Sequence, residues 1–289
     1  MSDQDKHAAG EEPADQRHPA AGAPRPPAGS AGAEFERVRE ALRQLPIALY
    51  VQRLVPLIKG GGSPRFEVLL RSRATPQSNE APHKLLHAAV AHGLGSMIDR
   101  RVVTELVSWL VRHPQAWRDV GGTFSVNLTK TAVDDEHFAI FVGLCLEKAD
   151  LPRGTLAFEV GMPTAGHAGG RLSELAAALH GLGCPVVLDD FDLRTECFAL
   201  LRLPGVKMLK LMPALTARMR SDKVCQAGVT AVVQMARVLG LHTVAKHAVT
   251  AADQDWLTAL GIDFLQSNAV AAPEPIEMLA SRSSRRRAP

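Results

Sequence analysis

Two adjacent carboxylates, Asp189 and Asp190, close the segment PVVLDDF at 185–191. Apolar, mostly β-branched residues running straight into two acids describe a strand buried on both faces, with a C-terminal end that opens onto polar chemistry. Neighbouring strand residues point to opposite sides, so one acid is expected to face a pocket and the other to lie at its rim or in the following loop. The bland alternative is a helix N-cap beside a surface acid. The rest of the chain weighs against it, because other β-rich runs carry polar residues in the same way: Glu67, Asn127, Glu159, Lys210, Lys246 with His247, and Gln266. Carboxylate and amide oxygens from several strands form the hard donor set preferred by Mg²⁺ or Mn²⁺. A lysine beside such ions can stabilise a phosphate or orient a water. Each residue alone is more often structural; their coincidence is the signal.

A frame that gathers strand ends is therefore needed. Eight β-rich runs occur, at 48–57, 65–71, 123–128, 156–160, 185–190, 206–211, 242–246 and 262–266. Amphipathic helical segments at 82–92, 97–113, 134–149, 170–182, 196–203, 224–239 and 250–260 separate most of them. This alternation predicts an α/β fold with a TIM-like (β/α)8 barrel, whose reactive residues collect at the C-terminal ends of the strands. The turn GGGSP between the first two runs is too short for a helical crossover, so the first strand should be antiparallel. An open doubly wound sheet is the runner-up. Its glycine-rich phosphate fingerprint is missing, because Gly60, Gly61 and Gly62 join two strands and do not open a helix.

With 289 residues, 46% of them hydrophobic, the chain can bury a barrel-sized core. Residues 1–34 are rich in Ala, Gly, Pro and polar residues and are expected to form a disordered leader. Phe35, Val38, Ala41, Leu42 and Leu45 then recur at helical spacing, opening a single folded domain over 35–280 as a lid or brace. Arg282, Arg285, Arg286 and Arg287 mark 281–289 as a basic, disordered tail. The balance of 33 basic against 30 acidic residues argues against direct nucleic-acid binding. Four scattered cysteines suggest neither zinc nor disulfides, and no signal peptide or long apolar run is seen, so a cytoplasmic protein without its own membrane span is expected.

Several motifs, in order, resemble the EAL domain of bacterial cyclic di-GMP phosphodiesterases over about 47–277. FEVLLR (66–71) is similar to the E-A-L-L-R signature, SVNLT (125–129) to V-N-L-S and AFEVG (157–161) to L-E-I-T. VVLDDF (186–191) is similar to A-L-D-D-F-G, MLKLM (208–212) to L-K-I-D, TVAKHAV (243–249) to V-A-E-G-V-E, and FLQSN (264–268) to the Q-G-Y end. The resemblance implies that Glu67, Asn127, Glu159, Asp189 and Asp190 are metal ligands and that Lys210 is the catalytic lysine. It also implies that Leu69, Arg71, Lys207 and Gln266 lie at the dinucleotide site, with Arg71 on a phosphate and Lys207 where an aspartate recognises guanine. In active members two divalent cations activate a water that opens the ring to pGpG.

The departures bear on function more than the matches. Lys246 replaces the first glutamate of V-A-E-G-V-E and Val249 the second. At about 4 Å and an effective dielectric of about 20, an ammonium repels a divalent ion by roughly 8 kcal/mol. Lys246 is expected instead to pair with Glu159, Asp189 or Asp190 as a tethered cation, leaving Mg²⁺ or Mn²⁺ binding lost or partial and Lys210 vestigial. The loop G-T-G has become Asp192, Leu193, Arg194, and Met212, Met162 and Ser72 replace two acids and a tryptophan. These changes predict a catalytically inactive regulatory protein that binds a partner protein not yet identified. Cyclic di-GMP is kept as a candidate ligand, with hydrolysis the least favoured option and a homodimer a candidate assembly. Weaker features are read as structural: His83, His87 and His92 lack matching acids for zinc, Ser125 and Ser173 lie in no nucleophile elbow, Cys184 is core, and Trp109 and Trp117 are packing residues.

Overall fold

The fold was analysed in a computed structural model that describes residues 28–58, 62–73, 83–118, 121–167, 169–248 and 250–286. Helix α1 (Ala28–Gln44) leads into β1 (Ile47–Pro56) and β2 (Arg65–Ser72), followed by α2 (His83–Ala91) and α3 (Gly95–Arg112). Next come β3 (Thr123–Leu128), α4 (Lys130–Val133), α5 (Phe138–Glu147), β4 (Leu156–Gly161), α6 (Met162–His167), α7 (Gly169–Leu182), β5 (Val186–Phe191), α8 (Thr195–Leu200) and β6 (Val206–Leu211). The chain continues through α9 (Pro213–Ala217), α10 (Lys223–Leu239), β7 (His242–Lys246), α11 (Ala251–Leu260), β8 (Phe264–Gln266), β9 (Glu274–Pro275) and α12 (Glu277–Arg286).

Strands β2 to β8 pair in sequence order and in parallel. Strand β1 closes the ring by pairing antiparallel with both β2 and β8. The result is the closed mixed barrel of eight strands anticipated from the sequence, with β9 as a short addition beside β1. Helices cover the outside, and one large apolar cluster fills the space between them and the strands. The barrel's own interior is different. Its floor is a small separate cluster of Leu54, Val187, Met208, Val244 and Phe264, one residue from each of β1, β5, β6, β7 and β8. Two residues along each of these strands, on the same face, stand Gln52, Asp189, Lys210, Lys246 and Gln266. Strand periodicity alone therefore stacks a polar layer on an apolar floor.

The segment boundaries differ from expectation in three places. Helix α1 starts at Ala28, inside the expected leader, extending back from the amphipathic segment through AGSAGAE; residues 1–27 lie outside the described residues. Helix α12 runs to Arg286 through what the composition marked as a disordered tail: Leu279 is buried and Arg282 makes a bidentate pair with Glu274 at 2.8 and 2.7 Å. The helix expected over 134–149 is α5, shorter at both ends, and α4 precedes that span as a separate turn whose N-cap is Thr129, with its side chain accepting from Ala132 N–H. That turn is tightly packed. A Cβ on Gly95, at the start of α3, would lie 2.5 Å from Thr131 Oγ1 and 2.6 Å from Thr129 Oγ1. Gly95→Ala is expected to destabilise the protein by about 1–3 kcal/mol in urea unfolding; an unchanged midpoint would show that the turn yields.

Candidate functional site

Lys210 stands at the centre of the polar layer, fully buried. Its Nζ lies 2.5 Å from Glu67 Oε2 and 2.7 Å from Glu159 Oε2, so one ammonium is shared by two carboxylates. Glu67 also accepts from Gln266 Nε2 at 2.6 Å and from Asn127 Nδ2 at 2.7 Å. Burial would raise the Glu67 pKa, but the Lys210 ammonium and these hydrogen bonds outweigh it and bring the carboxyl down to about 2. Glu159 accepts a short hydrogen bond from Ser125 Oγ and goes the other way: complete burial, then the nearby Glu67 and Asp189 carboxylates, raise its pKa despite Lys210.

A second ammonium lies at the barrel mouth. Lys246 Nζ is 2.7 Å from Asp189 Oδ1 and 2.5 Å from Asp190 Oδ1. Alternation along a strand would send these two acids to opposite faces. Both reach Lys246 because Asp190 takes a left-handed backbone conformation, φ 54°, where the β5–β6 register shifts between Leu188 and Phe191. The expectation that one acid faces the pocket and the other lies at its rim holds: Asp189 borders the cleft, while Asp190, more exposed, reaches Lys246 from the rim through this kink. Of the three partners foreseen for Lys246, the two aspartates are used, while Glu159 pairs with Lys210. Burial lowers the Lys246 pKa, but the Asp189 and Asp190 carboxylates reverse this and leave it raised.

Lys246 opens onto a cleft of about 320 Å³ bordered by Gln52, Glu67, Asp189, His247, Gln266 and Asn268. A neighbouring cleft of about 310 Å³ lies between the ends of β2 and β3 and helices α2 and α3. It is lined by Leu69, Arg71 and Asn127, with apolar walls from Leu86, Val90 and Ile98. The Arg71 guanidinium sits 5.7 Å from the Tyr50 ring centroid and donates from Nη1 to Leu70 O at 2.9 Å. Lys207 does not join these residues. It is exposed, at the start of β6, three residues before Lys210 and on the other side of the strand. Val249 lies outside the described residues.

Two contributors were not singled out from the sequence. Gln52, on the antiparallel strand, accepts from Gln266 Nε2 at 2.9 Å and was signalled only by being polar within LYVQRLV. Asp99 is buried in the second cleft, and its Oδ2 accepts from Thr129 N–H at 2.8 Å and Thr129 Oγ1 at 2.6 Å. Burial pushes its pKa up to about 7 against the pull of those two bonds. Its signal was an acid on the helix face that also presents Val102, Val103 and Leu106.

Glu67, Glu159, Asp189 and Asp190, the carboxylates expected from the sequence to hold a divalent cation, each face a lysine ammonium within 2.7 Å. Among the described residues no group of three or more His, Cys, Asp and Glu side chains is disposed to hold a metal ion.

A closed mixed barrel of eight strands with acids, amides and lysines gathered in its interior places the chain among the TIM-like barrels. The pattern describing the EAL domain matches residues 36–273, and the chain belongs to the EAL domain family. It is 27% identical over 240 residues to cyclic di-GMP phosphodiesterase PdeB of Shewanella oneidensis, covering 83% of this chain and 28% of that protein. It is 24% identical over 244 residues to cyclic di-GMP phosphodiesterase PdeF of Escherichia coli, covering 84% of this chain and 32% of that protein. The chain thus spans only about a third of the length of these relatives. Among solved structures, the PaMucR phosphodiesterase in complex with c-di-GMP superposes with a TM-score of 0.71 at 28% identity, over 84% of this chain and 99% of that one. The FimX EAL domain from Pseudomonas aeruginosa bound to c-di-GMP superposes with a TM-score of 0.74 at 21% identity, over 83% and 96%. At that identity it speaks for the fold alone. No helix among the described residues is long and apolar enough to cross a membrane.

Proposed function

We propose that this chain is a non-hydrolysing EAL domain of cyclic di-GMP signalling that acts by binding a partner protein in the cytoplasm. The observation that carries the reading is the Lys246 ammonium held between Asp189 and Asp190. Lys210 has its counterpart in active members and does not tell against metal; Lys246, an ammonium where the family pattern has a glutamate, is what makes the donor set a poor fit for a pair of divalent cations, and no step of this reading runs through one. Lys210 is then a structural cation, vestigial as a catalyst. A protein-facing role draws support from Leu193 and Phe198, which are 40% and 46% exposed in the altered loop after β5 and in α8.

A second reading, a receptor that keeps the dinucleotide uncut, is favoured by the apolar cleft. Arg71 would take a phosphate at its rim, Leu69 would pack on a base, and buried Asp99 offers a carboxyl to ring N–H donors. Calorimetric titration of the full chain with cyclic di-GMP, in Mn²⁺ and again in chelator, with assay for pGpG, tests both readings. No pGpG is expected in either condition. Metal-dependent pGpG would sink the non-hydrolysing reading, whereas heat without product would shift the conclusion to the receptor. If the dinucleotide binds, Arg71→Ala is expected to weaken it about tenfold or more, as loss of a charge-assisted phosphate contact does.

A further inference from the structure

The loops at the barrel mouth are tied together through two adjacent residues, Lys246 and His247. Lys246 reaches Asp189 and Asp190 with its side chain, and its backbone carbonyl accepts from Thr216 Oγ1 on α9 at 2.7 Å. The next residue, His247, donates its N–H to Gln266 O on β8 at 3.0 Å. The backbone on both sides of the ion pair is unusual: Asp190 has φ 54° and His247 has φ 62°. The left-handed region is sparsely used by residues other than glycine, although Asp and His enter it more readily than most. Two carboxylates from one strand end repel each other, and the cation that bridges them is covalently part of β7.

We propose that Lys246 is a built-in counter-ion that locks the end of β5 to β7, whose backbone at Lys246 and His247 is in turn held to α9 and β8, so that the order of the mouth does not depend on divalent metal. This deepens the non-hydrolysing reading and rests on it. The β5–α8 loop then keeps one shape whether or not Mg²⁺ or Mn²⁺ is present. Removing the ammonium while leaving the acids would expose a vacant, negatively charged site that a divalent ion can fill.

The test is thermal melting of the full chain in chelator and in millimolar Mn²⁺, with amide hydrogen exchange followed over 189–198 and 213–217. The wild type is expected to melt at the same temperature, and to exchange equally, in both conditions. Lys246→Gln should melt about 5 °C lower in chelator and recover most of that loss in Mn²⁺. Lys246→Arg keeps a positive charge and should remain indifferent to Mn²⁺. A wild type stabilised by Mn²⁺, or a Lys246→Gln variant that melts like the wild type in both conditions, would overturn the proposal. Should Lys246→Gln fail to fold, Asp190→Asn replaces it: it should speed exchange over 190–194 without making melting sensitive to Mn²⁺, and protection equal to the wild type would count against the lock. The product assay separates the two levels. Absence of pGpG with Mn²⁺-dependent melting sinks the lock but leaves the non-hydrolysing reading, while pGpG with Mn²⁺-independent melting sinks that reading and leaves the lock.

Discussion

Lys210→Met is expected to lower the unfolding free energy by about 3–5 kcal/mol, the usual loss when one partner of a buried charge cluster is removed. Lys210 is 0% exposed and touches both Glu67 and Glu159, of which Glu159 is also 0% exposed. Methionine fills similar volume, so packing loss is small and the effect isolates charge. Two carboxylates would be left buried without a counter-ion, and Glu159, already raised in pKa, would take up a proton. Adding Glu159→Gln should recover part of the loss, since the amide removes one uncompensated charge and can still accept from Ser125 Oγ. Urea unfolding of the two single variants and the double variant reads this directly. A loss below about 1 kcal/mol for Lys210→Met would mean that water or backbone movement relieves the acids, contrary to the packing described.

The second large effect concerns pH. Asp99 has a folded pKa of about 7 against an ordinary 3.8, with burial as the cause. Folding thus favours its protonated form. The associated stability is fully present below the ordinary value and is lost as pH rises through about 7. Asp99→Asn removes the titration while its carbonyl can keep both bonds from Thr129, which converge on a single oxygen. The variant is expected to match the wild type near pH 4 and to exceed it by about 3 kcal/mol at pH 8. Paired melts at the two pH values check this, and because both proteins share every other titrating group, their difference belongs to Asp99. Equal stability at pH 8 would show that the carboxylate is better solvated than its burial implies.

The barrel and most of its site were written locally. Period-two alternation put Glu67, Glu159, Lys210, Lys246 and Gln266 on inward faces, the last three near strand ends, and the short turn before β2 dictated an antiparallel first strand. The family resemblance and charge together named Glu159, Asp189 and Asp190 as partners for Lys246, and the structure uses the two aspartates. What the sequence could not specify were features that depend on closure and on single backbone angles. The left-handed turn at Asp190 brings both aspartates to one ammonium, against the rule for a regular strand. Gln52 enters the polar layer only because β1 closes the ring against both β2 and β8, and Asp99 meets Thr129 across 30 residues of chain. Lys207 matched a family position by spacing, yet side-chain direction in a strand is set by parity, which turned it outward. Local pattern determined which residues could stand at the mouth of the barrel. Only the closed sheet, which fixes register and distance between residues far apart in the chain, decided which charge meets which.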